Sequence, residues 1–137
     1  MTSKSILIVD DNPGNMKLLS YLLKLDGYAV KTAANAQQAR ALLQTFQPQL
    51  ILMDLQMPGM DGFELTRILK ADPNTSHIII LAVTAYAMKG DEQRALAAGC
   101  DGYVTKPIDT RTLPALIARL LAQATASRPA KLGEPTR

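Results

Sequence analysis

The sequence predicts an α/β fold, in which five helices cover both faces of a doubly wound, five-stranded parallel sheet. Two observations predict it. Short, continuously apolar runs, typical of strands buried on both faces, alternate with segments whose apolar residues recur at helical spacing. The chain also has 137 residues, of which 47% are apolar, and this suits one domain with a substantial core.

The five predicted strands are rich in aliphatic residues. In chain order they are Ser5 to Val9, Tyr28 to Thr32, Leu50 to Met53, Ile78 to Val83 and Gly102 to Val104. Because a helical segment follows each strand, we expect right-handed crossovers between strands that all run in the same direction.

The first three predicted helices each have an apolar face and a recognisable end. Gly27 ends the first, and the second begins after Asn35 as N-cap and ends before Pro48. The third begins near Asp61 and ends at Asp72-Pro73. Their apolar faces hold, in turn, Met16, Leu19, Leu22 and Leu23; Ala39, Leu42, Leu43 and Phe46; and Leu65, Ile68 and Leu69.

The last two predicted helices are less regular. The fourth, about Met88 to Ala98, contains Gly90, which costs roughly 0.8 to 1 kcal/mol relative to alanine. Since this helix also has few large apolar residues, we expect it to be mobile. The fifth runs from Asp109 as N-cap to about Leu121, and Pro114 predicts a distorted or late start because it lacks an amide donor.

The C-terminal segment differs in composition from the rest of the chain. Residues 1–123 are predicted to form the domain, and residues 124–137 are polar, contain proline and lack periodicity. We expect a disordered basic tail there, with a basic interaction arm as the alternative. Two of the three net positive charges lie in the last ten residues. The body is therefore nearly neutral, which argues against binding to nucleic acid.

The sequence also bears on the compartment. The apolar run from Ile6 to Val9 is too short for a signal peptide, and no other run approaches the length of a membrane span. We therefore expect a cytoplasmic protein without membrane contact. Cys100 has no partner for a disulfide, which suits a reducing compartment, and it is predicted to be a small buried residue.

Five polar side chains fall at or just after the carboxyl ends of predicted strands: Asp10, Asp11, Asp54, Thr84 and Lys106. In a doubly wound sheet these ends meet at the edge where ligands bind. Two like charges 4 Å apart repel by about 4 kcal/mol at an effective dielectric near 20, so three clustered carboxylates favour a bound Mg²⁺. A lysine and a hydroxyl beside them suit phosphate oxygens, and Asp54 is a candidate nucleophile towards phosphorus.

Each of these residues has a simpler interpretation when it is taken alone. The acidic pair, Asp10 and Asp11, is typical of a helix N-terminus, and Asp54 precedes a turn-forming segment. Thr84 could bond to the backbone at a strand end, and Lys106 could be a solvated surface residue. These interpretations require that all the residues reach one sheet edge by chance.

Four segments resemble the receiver domain of two-component response regulators. They are Ile6-Leu-Ile-Val-Asp-Asp-Asn, Leu52-Met-Asp-Leu-Gln-Met-Pro-Gly-Met-Asp-Gly, Val83-Thr-Ala and Tyr103-Val-Thr-Lys-Pro. The resemblance covers about residues 4 to 122 and implies a flavodoxin-like sandwich with strand order 2-1-3-4-5. The stretch Thr84-Ala-Tyr-Ala-Met-Lys-Gly-Asp-Glu is similar to single-domain receivers of phosphorelays and cell-cycle regulation.

The resemblance implies a role for each site residue. Asp54 accepts a phosphoryl group, while Asp11, Asp54 and the backbone carbonyl of Gln56 bind Mg²⁺, with Asp10 reaching the ion through water. Thr84 and Lys106 hold the phosphoryl oxygens together with the amide of Ala85. Thr84 and Tyr103 form the switch, and the Lys106-Pro107 peptide bond is cis.

The resemblance also implies the partners. A sensor histidine kinase or a histidine phosphotransfer protein donates the phosphoryl group, and a downstream protein binds the surface formed by helix four, strand five and helix five. The expected protein is a monomer or a weak phosphorylation-dependent dimer that catalyses only its own phosphorylation and slow dephosphorylation.

Three alternatives remain open from the sequence. A phosphatase of the haloacid dehalogenase type also uses an aspartyl phosphate, but it carries a second aspartate where this chain has Gln56. A phosphorylation-independent adaptor with a vestigial site is the second. A receiver detached from a hybrid kinase is the third, and the position of Met1 just before the first strand weighs against it.

Overall fold

A computed structural model describes residues 4–55, 62–84 and 91–132 of the chain. Within these residues, five parallel strands form one sheet in the order β2-β1-β3-β4-β5, and helices connect them. The elements are β1 Ser5–Val9, α1 Pro13–Leu25, β2 Ala29–Ala33, α2 Ala36–Leu42, β3 Leu50–Asp54, α3 Gly62–Ala71, β4 Ile79–Thr84, α4 Asp91–Ala98, β5 Gly102–Thr105 and α5 Leu113–Leu132. The predicted fold class and strand order are confirmed.

The sheet separates two apolar clusters because successive strand residues point to opposite faces. In β1, Leu7 and Val9 pack on the side of α2, α3 and α4, whereas Ile6 and Ile8 pack on the side of α1 and α5. All four side chains are buried. Both faces of the central strands are therefore covered, as their continuous apolar character predicts.

The expectation that every strand is covered on both faces is wrong for both edge strands: β5 has no fully buried residue, and the exposure is greater in β2. Three of its five residues, Ala29, Lys31 and Thr32, are exposed. The reason is that β2 lies at the edge of the sheet, where it pairs with β1. A lysine on an exposed edge strand opposes pairing with other chains.

The helix boundaries follow the capping signals of the sequence. Asn35 is the N-cap of α2, and its Oδ1 accepts a bond from the amide of Gln38 at 2.8 Å. Gly27 follows the end of α1 with a φ of 92°, a conformation that suits glycine. α2 ends at Leu42, earlier than the position before Pro48 that the pattern predicts.

The fourth helix, α4, is shorter in the described residues than the predicted segment. It runs from Asp91 to Ala98, while the predicted residues Met88 and Gly90 lie outside the described part of the chain. Cys100, just beyond it, is buried as predicted, and burial raises the pKa of its thiol. That side chain therefore stays protonated and packs as an apolar group.

The fifth helix, α5, starts late and ends late. It begins at Leu113, so Pro114 lies in its first turn, where a missing amide donor costs little. The prediction that Asp109 is the N-cap of this helix is wrong. Its Oδ1 instead accepts a bond from the amide of Arg111 at 3.0 Å, in the turn that precedes the helix. The helix continues through residues 124–132, beyond the predicted end at Leu121. The division of the chain at residue 123 stays a prediction, and residues 133–137 lie outside the described part.

No helix in the described parts of the chain is long and apolar enough to cross a membrane.

Replacing Asn35 with alanine tests the N-cap of α2. The amide of Gln38 loses its acceptor, so we expect the free energy of unfolding to fall by about 1 kcal/mol. Urea unfolding measures this change. Asn35→Ser, which keeps a capping oxygen, is the matched control and should stay within a few tenths of a kcal/mol of the parent. An equal loss in both variants would contradict the assigned cap.

Candidate functional site

The predicted site residues lie at the carboxyl edge of four adjacent strands. Asp54 is the last residue of β3 and Thr84 the last residue of β4, while Asp10 directly follows β1. Lys106 directly follows β5. The register explains why they meet, because Val9 pairs with Met53, Asp54 with Val83, and Thr84 with Thr105.

Three carboxylates form the centre of this site. Asp10, Asp11 and Asp54 each offer one oxygen, and these oxygens lie within 4.8 Å of one another. Asp10 and Asp54 are only 3% and 2% exposed, whereas Asp11 is exposed. Burial of like charges at this spacing is unfavourable unless cations compensate it.

Lys106 supplies a compensating positive charge. Its Nζ donates to Oδ2 of Asp54 at 3.3 Å and lies 3.7 Å from Oδ2 of Asp10. The lysine backbone is fixed as well, because its amide donates to the carbonyl of Thr84 at 2.7 Å. The Lys106-Pro107 bond is cis, as the family resemblance implied.

Asp10 is held in place by its own neighbours. Its amide donates to the carbonyl of Ala33 at 3.1 Å, and its Oδ1 accepts a bond from the amide of Asn12 at 2.8 Å. The side chain of Asn12, in turn, is the N-cap of α1. The helix therefore has a cap other than the acidic pair, and the simple capping interpretation of Asp10 and Asp11 loses its support.

Asp54 and Leu55 pack tightly against the start of α3. A Cβ on Gly62 would lie 2.5 Å from the backbone oxygen of Asp54 and 2.8 Å from Cα of Leu55. Leu55 donates its amide to the carbonyl of Val83 at 2.8 Å and accepts the amide of Gly62 at 3.3 Å. Only glycine fits at the first residue of α3 without moving the backbone of Asp54.

Thr84 and Tyr103 lie on one face of the sheet. Tyr103 pairs with Ala82, and Thr84 is two positions further along β4, so both side chains face the cluster beside α2, α3 and α4. Thr84 is fully buried and Tyr103 partly buried. This shared face is the arrangement that a coupled movement of the two side chains requires.

Two predicted site residues cannot be placed. Gln56 and Ala85 lie outside the described residues. The roles of the Gln56 carbonyl and the Ala85 amide therefore stay predictions.

The described carboxylates fit a magnesium ion. Mg²⁺ prefers oxygen ligands about 2.0 to 2.1 Å away, which places neighbouring ligand atoms about 3 to 4 Å apart. Because the three carboxylate oxygens lie within 4.8 Å of one another, small side-chain movements would bring them to this spacing. The exposed position of Asp11 leaves room for the waters that Mg²⁺ retains.

A groove beside Lys106 was not predicted from the sequence. It has a volume of about 430 Å³ and is lined by Asn15, Leu18, Leu19, Lys106, Pro107, Ile108 and Thr110. Helix α1 also has three large apolar side chains that are more than half exposed and lie away from its buried residues Leu19 and Leu23: Leu18, Tyr21 and Leu25. Their i, i+3, i+7 spacing is the sequence signal that could have indicated an apolar surface next to the site.

This fold and site together define a receiver domain: a 2-1-3-4-5 parallel sheet that gathers three aspartates and a lysine at its carboxyl edge. The chain belongs to the response regulator receiver domain family, whose model matches residues 6–118. Such domains act in two-component signalling, where phosphoryl acceptance and Mg²⁺ binding are typical of the family.

Known relatives agree with this assignment. The polar-differentiation response regulator DivK of Brucella anthropi is 47% identical over 105 residues, which cover 77% of this chain and 85% of that protein. The chemotaxis protein CheY4 of Vibrio cholerae matches with a TM-score of 0.82 and 29% identity, over 87% of this chain and 99% of that chain.

Another structural neighbour contains a metal ion. The receiver domain of a sensor histidine kinase from Pseudomonas aeruginosa, solved with magnesium coordinated in its active site cleft, matches with a TM-score of 0.80 and 33% identity. The match covers 88% of this chain and 99% of that chain.

Replacing Gly62 with alanine tests the close packing behind Asp54. The added Cβ would meet backbone atoms, which cannot move aside as a side chain can. We therefore expect a loss of about 1 to 3 kcal/mol in the free energy of unfolding. Denaturant unfolding measures it. Gly14→Ala is the matched control, because its Cβ would meet the side-chain oxygen of Asn12 at 3.3 Å, and a side chain can move aside where a backbone cannot. Similar stability of the two variants would contradict this packing.

Replacing Asp11 with asparagine tests the repulsion among the carboxylates. One charge of the cluster is removed, so the melting temperature of the metal-free protein should rise by on the order of 1 to 3 °C. Calorimetry in the presence of a chelator measures it. An unchanged or lower melting temperature for Asp11→Asn would show that the repulsion is unimportant.

Proposed function

We propose that the protein is a response regulator that accepts a phosphoryl group on Asp54, in a Mg²⁺-dependent reaction, from the phosphohistidine of a sensor kinase or phosphotransfer protein. The observation that carries this proposal is the pairing of the nearly buried Asp54 with Lys106 at 3.3 Å, inside a cluster of three carboxylates. This arrangement combines a nucleophile with the charges that stabilise phosphoryl transfer.

The residues have distinct roles in the transfer. A carboxylate oxygen of Asp54 attacks phosphorus, an O–P bond forms, and the N–P bond to the donor imidazole breaks. The imidazole keeps the electron pair of that bond and takes up a proton. Lys106 screens the charge on the transferred oxygens, and the hydroxyl of Thr84 donates to one of them. Catalysis of this kind depends mainly on positioning, which the fixed backbones of Asp10, Leu55 and Lys106 support.

Magnesium would be held by Asp11, Asp54 and the carbonyl of Gln56, with Asp10 reaching it through water. When bound, it neutralises the carboxylates and the developing charge on the phosphoryl oxygens. The support from this chain is the spacing of the three carboxylate oxygens, which suits a small hard cation.

The groove beside Lys106 is the proposed contact for the phosphoryl donor. It shares Lys106 with the site and includes Leu18, which is 52% exposed. A helix of the donor that covers these apolar side chains would also bring its phosphohistidine close to Asp54. Burial of Leu18 and Ile108 supplies favourable free energy for this contact.

The proposed output surface consists of α4, β5 and α5. A second cavity of about 400 Å³ lies at this surface and is lined in part by Tyr103, Pro107, Ile108 and Leu116. When Thr84 moves towards the phosphoryl group, Tyr103 turns inward, and the shape of this surface changes for a downstream protein. The common sheet face of Thr84 and Tyr103 supports this coupling.

Replacing Asp54 with asparagine tests the phosphoacceptor. The amide is a far weaker nucleophile, so labelling from a radioactive phosphohistidine donor should fall to background. Autoradiography after transfer from a cognate kinase measures it. Asp26→Asn should label like the parent and controls for general damage to the fold. Persistent labelling of Asp54→Asn would refute the assignment.

Two further measurements separate this function from the alternatives. Turnover of a generic phosphate ester should be absent, and its presence would indicate a phosphatase of the haloacid dehalogenase type. Binding to the downstream protein should depend on Asp54. If Asp54→Ala left that binding unchanged, the protein would instead be a phosphorylation-independent adaptor.

A further inference from the structure

Helix α4 has weak lateral packing. Among residues 93–98, where the structure describes side-chain burial, Ala95 and Ala98 are the buried ones. Its leucine, Leu96, is 54% exposed. Two alanines bury little apolar area, so the position of this helix depends on contacts other than core packing.

The C-terminal end of α4 is fixed by backbone hydrogen bonds. The amide of Cys100 donates to the carbonyl of Ala95 at 3.0 Å, and the amide of Gly99 donates to Leu96 at 3.0 Å. Gly99 has a φ of 109°, which favours glycine there. The amide of Asp101 then donates to the carbonyl of Ile80 at 2.8 Å, which ties this end to β4.

An ion pair between Lys70 and Asp101 reinforces the same end. The Nζ of Lys70, in α3, donates to Oδ2 of Asp101 at 3.0 Å and to the carbonyl of Ile78 at 2.7 Å. Oδ2 of Asp101 also accepts the amide of Ile80 at 2.9 Å. A Cβ on Gly99 would lie 2.8 Å from Cγ of Lys70, so the lysine covers this turn closely.

A different contact holds the side of α4. The guanidinium carbon of Arg94 lies 4.1 Å from the ring centroid of Phe63, a cation–π geometry. Phe63 is 4% exposed and directly follows Gly62, which packs against the backbone of Asp54. The ring is therefore fixed relative to the phosphoacceptor, and Arg94 connects α4 to it.

We propose that Arg94 is a positioning residue that acts through Phe63 to hold α4 in its unphosphorylated position, while the Lys70–Asp101 end serves as the pivot. The inference rests on the proposed function, because it names the contact that opposes the phosphorylated state. Phosphorylation of Asp54 breaks the Arg94–Phe63 contact, and α4 then moves about its fixed C-terminal end.

Linkage makes this proposal quantitative. If the contact exists only in the unphosphorylated state, its removal must favour binding of a phosphoryl mimic by the same factor by which it stabilised that state. An exposed cation–π contact corresponds to roughly a two- to fivefold change in an equilibrium constant. Arg94→Ala should therefore bind beryllofluoride roughly two- to fivefold more tightly than the parent. A merely structural residue would not tighten this binding.

The experiment is a titration of the full chain with beryllofluoride in the presence of Mg²⁺, combined with hydrogen exchange of residues 93–98. Arg94→Ala should bind the mimic more tightly and should exchange faster in α4 before the mimic is added. Arg94→Lys keeps a cation over the ring and should lie near the parent. Phe63→Leu removes the ring but keeps an apolar side chain, and in that background Arg94→Ala should have no further effect.

Several outcomes would overturn the proposal. The first is that Arg94→Ala binds beryllofluoride no more tightly than the parent. The second is that hydrogen exchange in α4 of this variant is unchanged, or that exchange in β1 and β3 accelerates equally. The third is that Arg94→Ala has its full effect on beryllofluoride binding in the Phe63→Leu background. Failure of the parent protein itself to bind beryllofluoride would contradict the proposed phosphoacceptor instead. The exchange difference between Arg94→Ala and the parent in α4 would then decide whether Arg94 holds that helix.

Discussion

The mutual repulsion of the aspartates at the sheet edge is the constraint on which the rest of the site depends. Asp10 and Asp54 are both nearly buried, and Lys106, which follows the carboxyl end of β5, reaches both of them. The protein tolerates this charge because the ammonium group of Lys106 compensates part of it, and the paired strands β1, β3 and β5 hold the groups at this spacing. In the proposed function, the same compensation would help the site to accept a phosphoryl group and a cation.

Much of the fold follows from local sequence signals. The predicted strands lie within one residue of the observed ones at either end, because continuous aliphatic runs have few alternatives to a buried strand. Asn35 and Gly27 mark helix ends through interactions with nearby residues, so they too could be predicted. The prediction misses the exposure of β2, although the implied strand order puts β2 at the edge, because it includes Lys31 and Thr32 in a run described as apolar.

The sequence indicates which side chains come together at the strand ends, but it does not indicate the contacts between distant elements. The meeting of Asp10, Asp54 and Lys106 follows from the parallel arrangement alone. By contrast, the Lys70–Asp101 pair and the Arg94–Phe63 contact depend on how α3 packs beside α4 and β4. A lysine on an amphipathic helix normally indicates a solvated position. The sequence therefore gives no sign that the ammonium group of Lys70 donates to three acceptors near β4.

The division of the interior into two apolar clusters has a consequence for assembly. The groove beside Lys106 borders α1, which packs on one side of the sheet, whereas α4 lies on the other side. A helical protein seated against Leu18 leaves the outer surface of α4 uncovered. Proteins bound at the groove and at the proposed output surface would therefore meet only around Pro107 and Ile108, which line both cavities.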